Sequence, residues 1–106
     1  MTYFKKRFAD RFGVKSAIIV QYLFDNIYIS NTCPVKQLRG KTWVRCSKPH
    51  LISVFPFYSR HQISDALDIL VDKKVIKKTR MNESPFDHTN WYAFTEYGLS
   101  LMTQND

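Results

Sequence analysis

The run Ser59-Arg60-His61-Gln62, with Ser64 close behind, sets short polar side chains and a guanidinium at the start of an apolar repeat. Ser59 followed three residues later by Gln62 is a capping-box pattern, which places these residues in the first turn of a helix. Unpaired backbone amides and the positive end of the helix dipole favour an anion there, phosphate among them. Side chains on such a turn also reach base edges, Arg60 pairing with guanine and Gln62 with adenine. The plainer reading is that Ser59 and Gln62 cap the helix and Arg60 is solvated.

A cationic block, Lys73, Lys74, Lys77, Lys78 and Arg80, follows the same helix. Cations at a helix C-terminus are favourable in any case, so this block is either a phosphate contact or a solvated charge run. Strand alternation puts Ile76, Lys78 and Arg80 on one face and Lys77 and Thr79 on the other. Lys5, Lys6, Arg7, Arg11 and Lys15 form another cluster, suited to a flanking backbone, an acidic partner or water.

Catalytic chemistry has little to stand on. There is no Gly-rich phosphate loop, and His50, His61 and His88 have no identifiable nucleophile or orienting carboxylate in sequence. A non-enzyme without a cofactor is expected. Cys33 and Cys46 read as reduced thiols, since nothing secretory surrounds them. Cys46 and His50 could face one way on a helix, but a zinc site wants about four ligands and no second pair has zinc-site spacing, so no metal is expected.

The elements that must position these residues follow from periodicity. The 106 residues fit one domain, 1–106, and 44% apolar residues suffice for one core. No stretch approaches the ~20 consecutive apolar residues of a membrane span, and no signal-peptide pattern opens the chain, so a cytoplasmic address is expected. Net charge is +7, with cations concentrated in residues 1–48 and 73–80, which suits an anionic polymer.

Phe4, Phe8 and Phe12 predict an amphipathic helix over 1–12 that Gly13 can end. Ala17, Val20, Gln21, Phe24, Ile27 and Tyr28 mark a longer core helix. "SNTCPVKQLRG" reads as a loop and "KTWVRC" as a short strand. Ser47 caps a two-turn helix with Pro49 in its first turn, and Pro56 breaks it. Ile63, Ala66, Leu67, Leu70 and Val71 give the next helix its buried face, with Asp65, Asp68 and Asp72 opposite. "VIKKTRM" and "NWYAFT" form a hairpin across the turn "NESPFDHT", and Thr95 caps a last helix before a polar tail, 103–106.

Two helices across a tight turn, flanked by a strand and a hairpin, describe an α+β winged helix-turn-helix, mostly helical with a small strand plus a β-hairpin wing. "DRFGVKSAIIVQYLFDNI", "GKTWVRCS", "FPFYSRHQISDALDIL" and "FDHTNWY" resemble, in order and spacing, the winged-helix domains of phage and plasmid replication initiators, the replisome organisers and the DnaD-type group. The likeness covers most of the chain, and the F-P-F-[WY]-S turn and [FY]-D-x-T-x-W-Y wing strand are its most specific parts.

The resemblance implies that the helix after the turn is the recognition helix, with Ser59, Arg60, His61, Gln62 and Ser64 at its start and Lys77, Lys78 and Arg80 on the first wing strand. It gives Trp43, Phe55, Phe57, Trp91 and Tyr92 structural roles. The acidic outer face departs from the family, because aspartates repel phosphate, and Asp68 and Asp72 are expected to stay clear of DNA. The implied function is DNA binding in replication initiation of a phage or other mobile element. Double-stranded DNA is the expected partner, with host replication proteins and a second copy of the chain as further ones. Two alternatives stay open: a dimeric transcriptional regulator, and a winged helix that inhibits a protein partner through its acidic face.

Overall fold

The computed structural model describes residues 5–29, 33–79 and 89–103. Its elements run α1 (Lys6–Phe12), α2 (Val14–Tyr28), β1 (Val35–Leu38), β2 (Lys41–Arg45), α3 (Lys48–Val54), α4 (Arg60–Asp72), β3 (Ile76–Thr79), β4 (Trp91–Phe94) and α5 (Glu96–Thr103). The strands form one antiparallel sheet in the order β1-β2-β4-β3. This is an α+β fold whose arrangement fits a winged helix-turn-helix. Phe4, Arg80, most of the turn between β3 and β4, and residues 104–106 of the polar tail lie outside the described residues.

Gly13, at φ +95°, ends α1 and starts α2, a bend that a residue with a Cβ adopts only under strain. Phe8 is buried and its ring lies 4.6 Å from that of Phe12. α2 is more deeply set than its predicted stripe. Ile19 and Leu23 are fully buried, whereas Phe24 is only half-buried and Tyr28 is exposed. The helix is covered on several sides by α1, α4 and β2, so its burial does not follow a single stripe.

α3 and α4 begin as the sequence predicts. Ser47 Oγ accepts from the His50 amide at 3.2 Å, with Pro49 in the first turn. Phe55 caps the end of α3, and Tyr58 N donates to Phe55 O across the Pro56 turn. Ile63, Ala66, Leu67 and Leu70 are buried, and Asp65, Asp68 and Asp72 are exposed on the opposite face. Burying four such side chains contributes on the order of 1–3 kcal/mol apiece, which is what holds α4 on α2.

One expectation is corrected. Val35–Leu38, read as loop, forms β1 and pairs with β2 from Val35↔Val44 to Leu38↔Lys41. All four β1 residues are exposed on an edge strand, so no alternation of apolar and polar types marks them. Gly40 is not a generic breaker either. Arg39 and Gly40, at φ +54° and +75°, make a two-residue hairpin turn of the primed type, whose twist suits the flanking strands.

Candidate functional site

The predicted polar residues fall at two ends of one helix. At the first turn of α4, Ser59 Oγ accepts from Gln62 N at 3.1 Å and Gln62 Oε1 accepts from Ser59 N at 2.8 Å. Ser59 Oγ and Gln62 Oε1 are therefore committed to the capping box. Arg60 and His61 are exposed beside them, and Ser64 is half-buried one turn on. Phe57, expected to be structural, is 61% exposed at this corner, its ring 4.7 Å from Tyr58 and 6.1 Å from Phe55. Trp43, Phe55, Trp91 and Tyr92 are buried, as a structural role requires.

The other end lies a helix length away, about 20 Å for thirteen residues. There Lys74 adopts φ +63°. Its amide donates to Val71 O and that of Val75 donates to Leu70 O, the paired hydrogen bonds of a Schellman ending. Thr95 reinforces it, its hydroxyl reaching Lys74 O at 2.5 Å and Val75 O at 3.1 Å while accepting from Gly98 N at 2.9 Å. Lys73 and Lys74 are consequently held exposed at the rim of the sheet.

Strand register sorts the remaining cations. Lys77 stands opposite Ala93 and Thr79 opposite Trp91, while Arg45 opposes Trp91 and shares its face with Trp43 and Lys41. Trp43, Trp91 and Ala93 form a small apolar cluster on this outer face, separate from the main core. Ile76 and Lys78 point the other way, in line with the alternation read from sequence, and Lys78 is exposed because β3 is an edge.

An open groove of about 770 Å³ joins these parts. Arg39, Lys41, Lys74, Lys77 and Lys78 line it together with Trp43, and no acidic residue among the described ones does. Lys41 Nζ donates to Phe94 O at 3.3 Å, which holds that ammonium against the sheet. The structure thus gathers Lys74, Lys77 and Lys78 and adds Arg39 and Lys41. It leaves Arg60 and His61 at the far end of α4. The two added residues were missed because they lie in and beside the turn of the unrecognised hairpin; "LRGK", Leu38 to Lys41, was the signal that could have found them. The acidic stripe borders the groove, since Val71 lines both it and a shallow depression shared with Asp68, Ile69 and Asp72.

Of the N-terminal cluster, Arg11 packs its guanidinium over Phe12 and over Tyr97 of α5, at 5.4 and 5.5 Å from the ring centroids. It serves as a bridge between helices.

A partly buried polar cluster also emerges. Cys33, Cys46 and His50 bring their sulfur and nitrogen atoms within 4.8 Å of one another. The Tyr22 hydroxyl lies 2.6 Å from His50 Nε2 and 4.0 Å from Cys33 Sγ, and Cys33 Sγ lies 3.4 Å from that nitrogen. Burial first, and the neighbouring Cys33 second, push the Tyr22 phenol up to about 12 and drive the Cys46 thiol upward as well. Sequence spacing could not reveal this cluster, because it depends on the β1–β2 pairing.

No family model matches the chain, and no curated protein or solved structure does either.

Proposed function

We propose that this chain binds double-stranded DNA, with the groove beside the wing as its phosphate contact and the exposed first turn of α4 as its reading element. The observation that carries the reading is one groove lined by Arg39, Lys41, Lys74, Lys77 and, from the opposite face of the edge strand β3, Lys78, with no acidic residue among those described. Clustered ammonium and guanidinium groups gain from release of condensed counterions, a gain that does not depend on sequence. At the other end Arg60 and His61 are the side chains the capping box leaves for base edges. The resemblance to replication initiators supports placing such binding in replication initiation of a phage or mobile element. Host replication proteins and a second copy of the chain are further partners under that reading.

Affinity for mixed-sequence duplex DNA over a salt series tests it. Log K should fall with log salt at roughly −0.9 per phosphate contact, and Lys77→Ala with Lys78→Ala should flatten the slope by up to about two units. No measurable binding at ~50 mM salt overturns the proposal. In duplexes selected from a random library, Arg60→Ala should relax preference at one base position at a cost of about 1–3 kcal/mol. A uniform loss across sequences would make Arg60 a phosphate contact instead.

The exposed Asp68 and Asp72 beside Ile69 and Val71 favour one second reading, a protein partner on the acidic face. Capture of a basic partner that Asp68→Lys abolishes, with no DNA binding, would establish it in place of the first.

A further inference from the structure

The pairing of β1 with β2 does more than form a hairpin. The register Val35↔Val44 continues through a hydrogen bond from Arg45 N to Pro34 O at 2.9 Å, which sets Cys33 opposite Cys46 at the base of the hairpin. Cys33 is anchored to α2, where Asn26 Oδ1 accepts from its amide at 3.1 Å and Asn26 Nδ2 donates to Tyr22 O at 2.9 Å. Ser47 fixes the start of α3 and with it His50. Three separate devices, a strand register, a side-chain clamp and a helix cap, therefore converge two sulfurs and one imidazole nitrogen.

The donor set is selective. Two thiols and an imidazole suit a soft or borderline ion and are poor ligands for magnesium or calcium. Tetrahedral zinc, with Zn–S near 2.3 Å and Zn–N near 2.0 Å, separates a sulfur from a nitrogen by about 3.6 Å and two sulfurs by about 3.8 Å. The Cys33–His50 distance of 3.4 Å already meets the first condition, and the 4.8 Å bound on the others leaves closure by at most about 1 Å.

We propose that Cys33, Cys46 and His50 bind one zinc ion, with a water in the fourth position held by the Tyr22 hydroxyl. Both thiol protons leave to solvent as Zn²⁺ enters, so the two thiolates balance its charge. His50 Nε2 turns from the Tyr22 hydroxyl to the metal, and that hydroxyl then donates to the water. The ion would tie the base of the hairpin to α3, the first helix of the helix-turn-helix. This site stands apart from the DNA reading, and either can fail without the other.

The test is titration of the reduced, metal-stripped chain with Co²⁺, which reports thiolate ligation and tetrahedral geometry by its absorption, followed by Zn²⁺. Expected is one equivalent of Co²⁺ with a thiolate charge-transfer band, displaced by one equivalent of Zn²⁺ and lost in Cys33→Ser, Cys46→Ser and His50→Ala. Because a serine in so buried a place can cost the fold, alkylation rates are also measured on the wild-type chain. Zinc should slow modification of Cys33 and Cys46 at least tenfold. Absence of saturable binding, alkylation indifferent to zinc, or uptake that survives the loss of both cysteines overturns the proposal. So does oxidation to a Cys33–Cys46 disulfide in a chain that takes up no zinc while reduced.

Discussion

The first turn of α4 satisfies its orphan backbone amides with side chains, through Ser59 and Gln62, whereas the last turn satisfies its carbonyls with backbone, through Lys74 and Val75. The consequence for function is opposite at the two ends. Side-chain capping takes up Ser59 Oγ and Gln62 Oε1, two of the polar groups expected at the interface, and leaves Arg60 and His61 outside the box. Backbone capping consumes no lysine side chain, so Lys73 and Lys74 are presented outward, at the cost of a left-handed residue with a Cβ. A polar residue's position near a candidate interface therefore says less than where its hydrogen bonds already go.

The largest effect is expected at the brace beneath the last turn. A Cβ at Gly98 would lie 2.0 Å from Val75 O and 2.9 Å from Val75 C, both backbone atoms that cannot swing aside. Gly98→Ala should cost about 3 kcal/mol and lower Tm by ~12 °C or more. Thermal denaturation checks it, and an unchanged Tm would mean that α5 does not hold the end of α4 in place.

Ser59→Ala comes next, with an expected loss of about 1 kcal/mol in chemical denaturation. Its salt slope for DNA should stay that of the wild type if the hydroxyl serves the cap alone. A flattened slope at unchanged stability would return Ser59 to the interface.

Lys74→Gly is the smallest effect and the most discriminating. Relief of the left-handed strain should stabilise the fold by about 0.5–1 kcal/mol, while the loss of one cation flattens the salt slope by about one unit. Stability and affinity then move in opposite directions. A variant that gains nothing in stability, or that binds as the wild type does, would remove Lys74 from the comparison.

What could be read from the sequence was local. The Ser59/Gln62 box, the Pro56 break and the Ile63, Ala66, Leu67, Leu70 stripe each depend on neighbours within one or two turns, and all are present. β1 was missed because an exposed edge strand carries no burial pattern. That omission hid Arg39 and Lys41, and it hid the cysteine pair, whose approach is a matter of register rather than spacing. Tyr28 was misjudged for another reason: a helix covered on several sides defeats a single-stripe reading, and its last residues reach past the cover.

The strand order has a consequence for how the chain acquires its shape. β1 and β2 are joined by two residues and can pair while the rest of the protein is still being synthesised. β3 has a neighbour in the sheet only through β4, and β4 also closes the free side of β2 through Val44↔Tyr92. The strand pairing that joins the wing to the hairpin thus waits for Trp91–Phe94, and closing so long a loop is the slow kind of step. Until those four residues emerge from the ribosome, β3 has no strand to pair with, and Lys77 and Lys78 are not yet fixed beside Lys74.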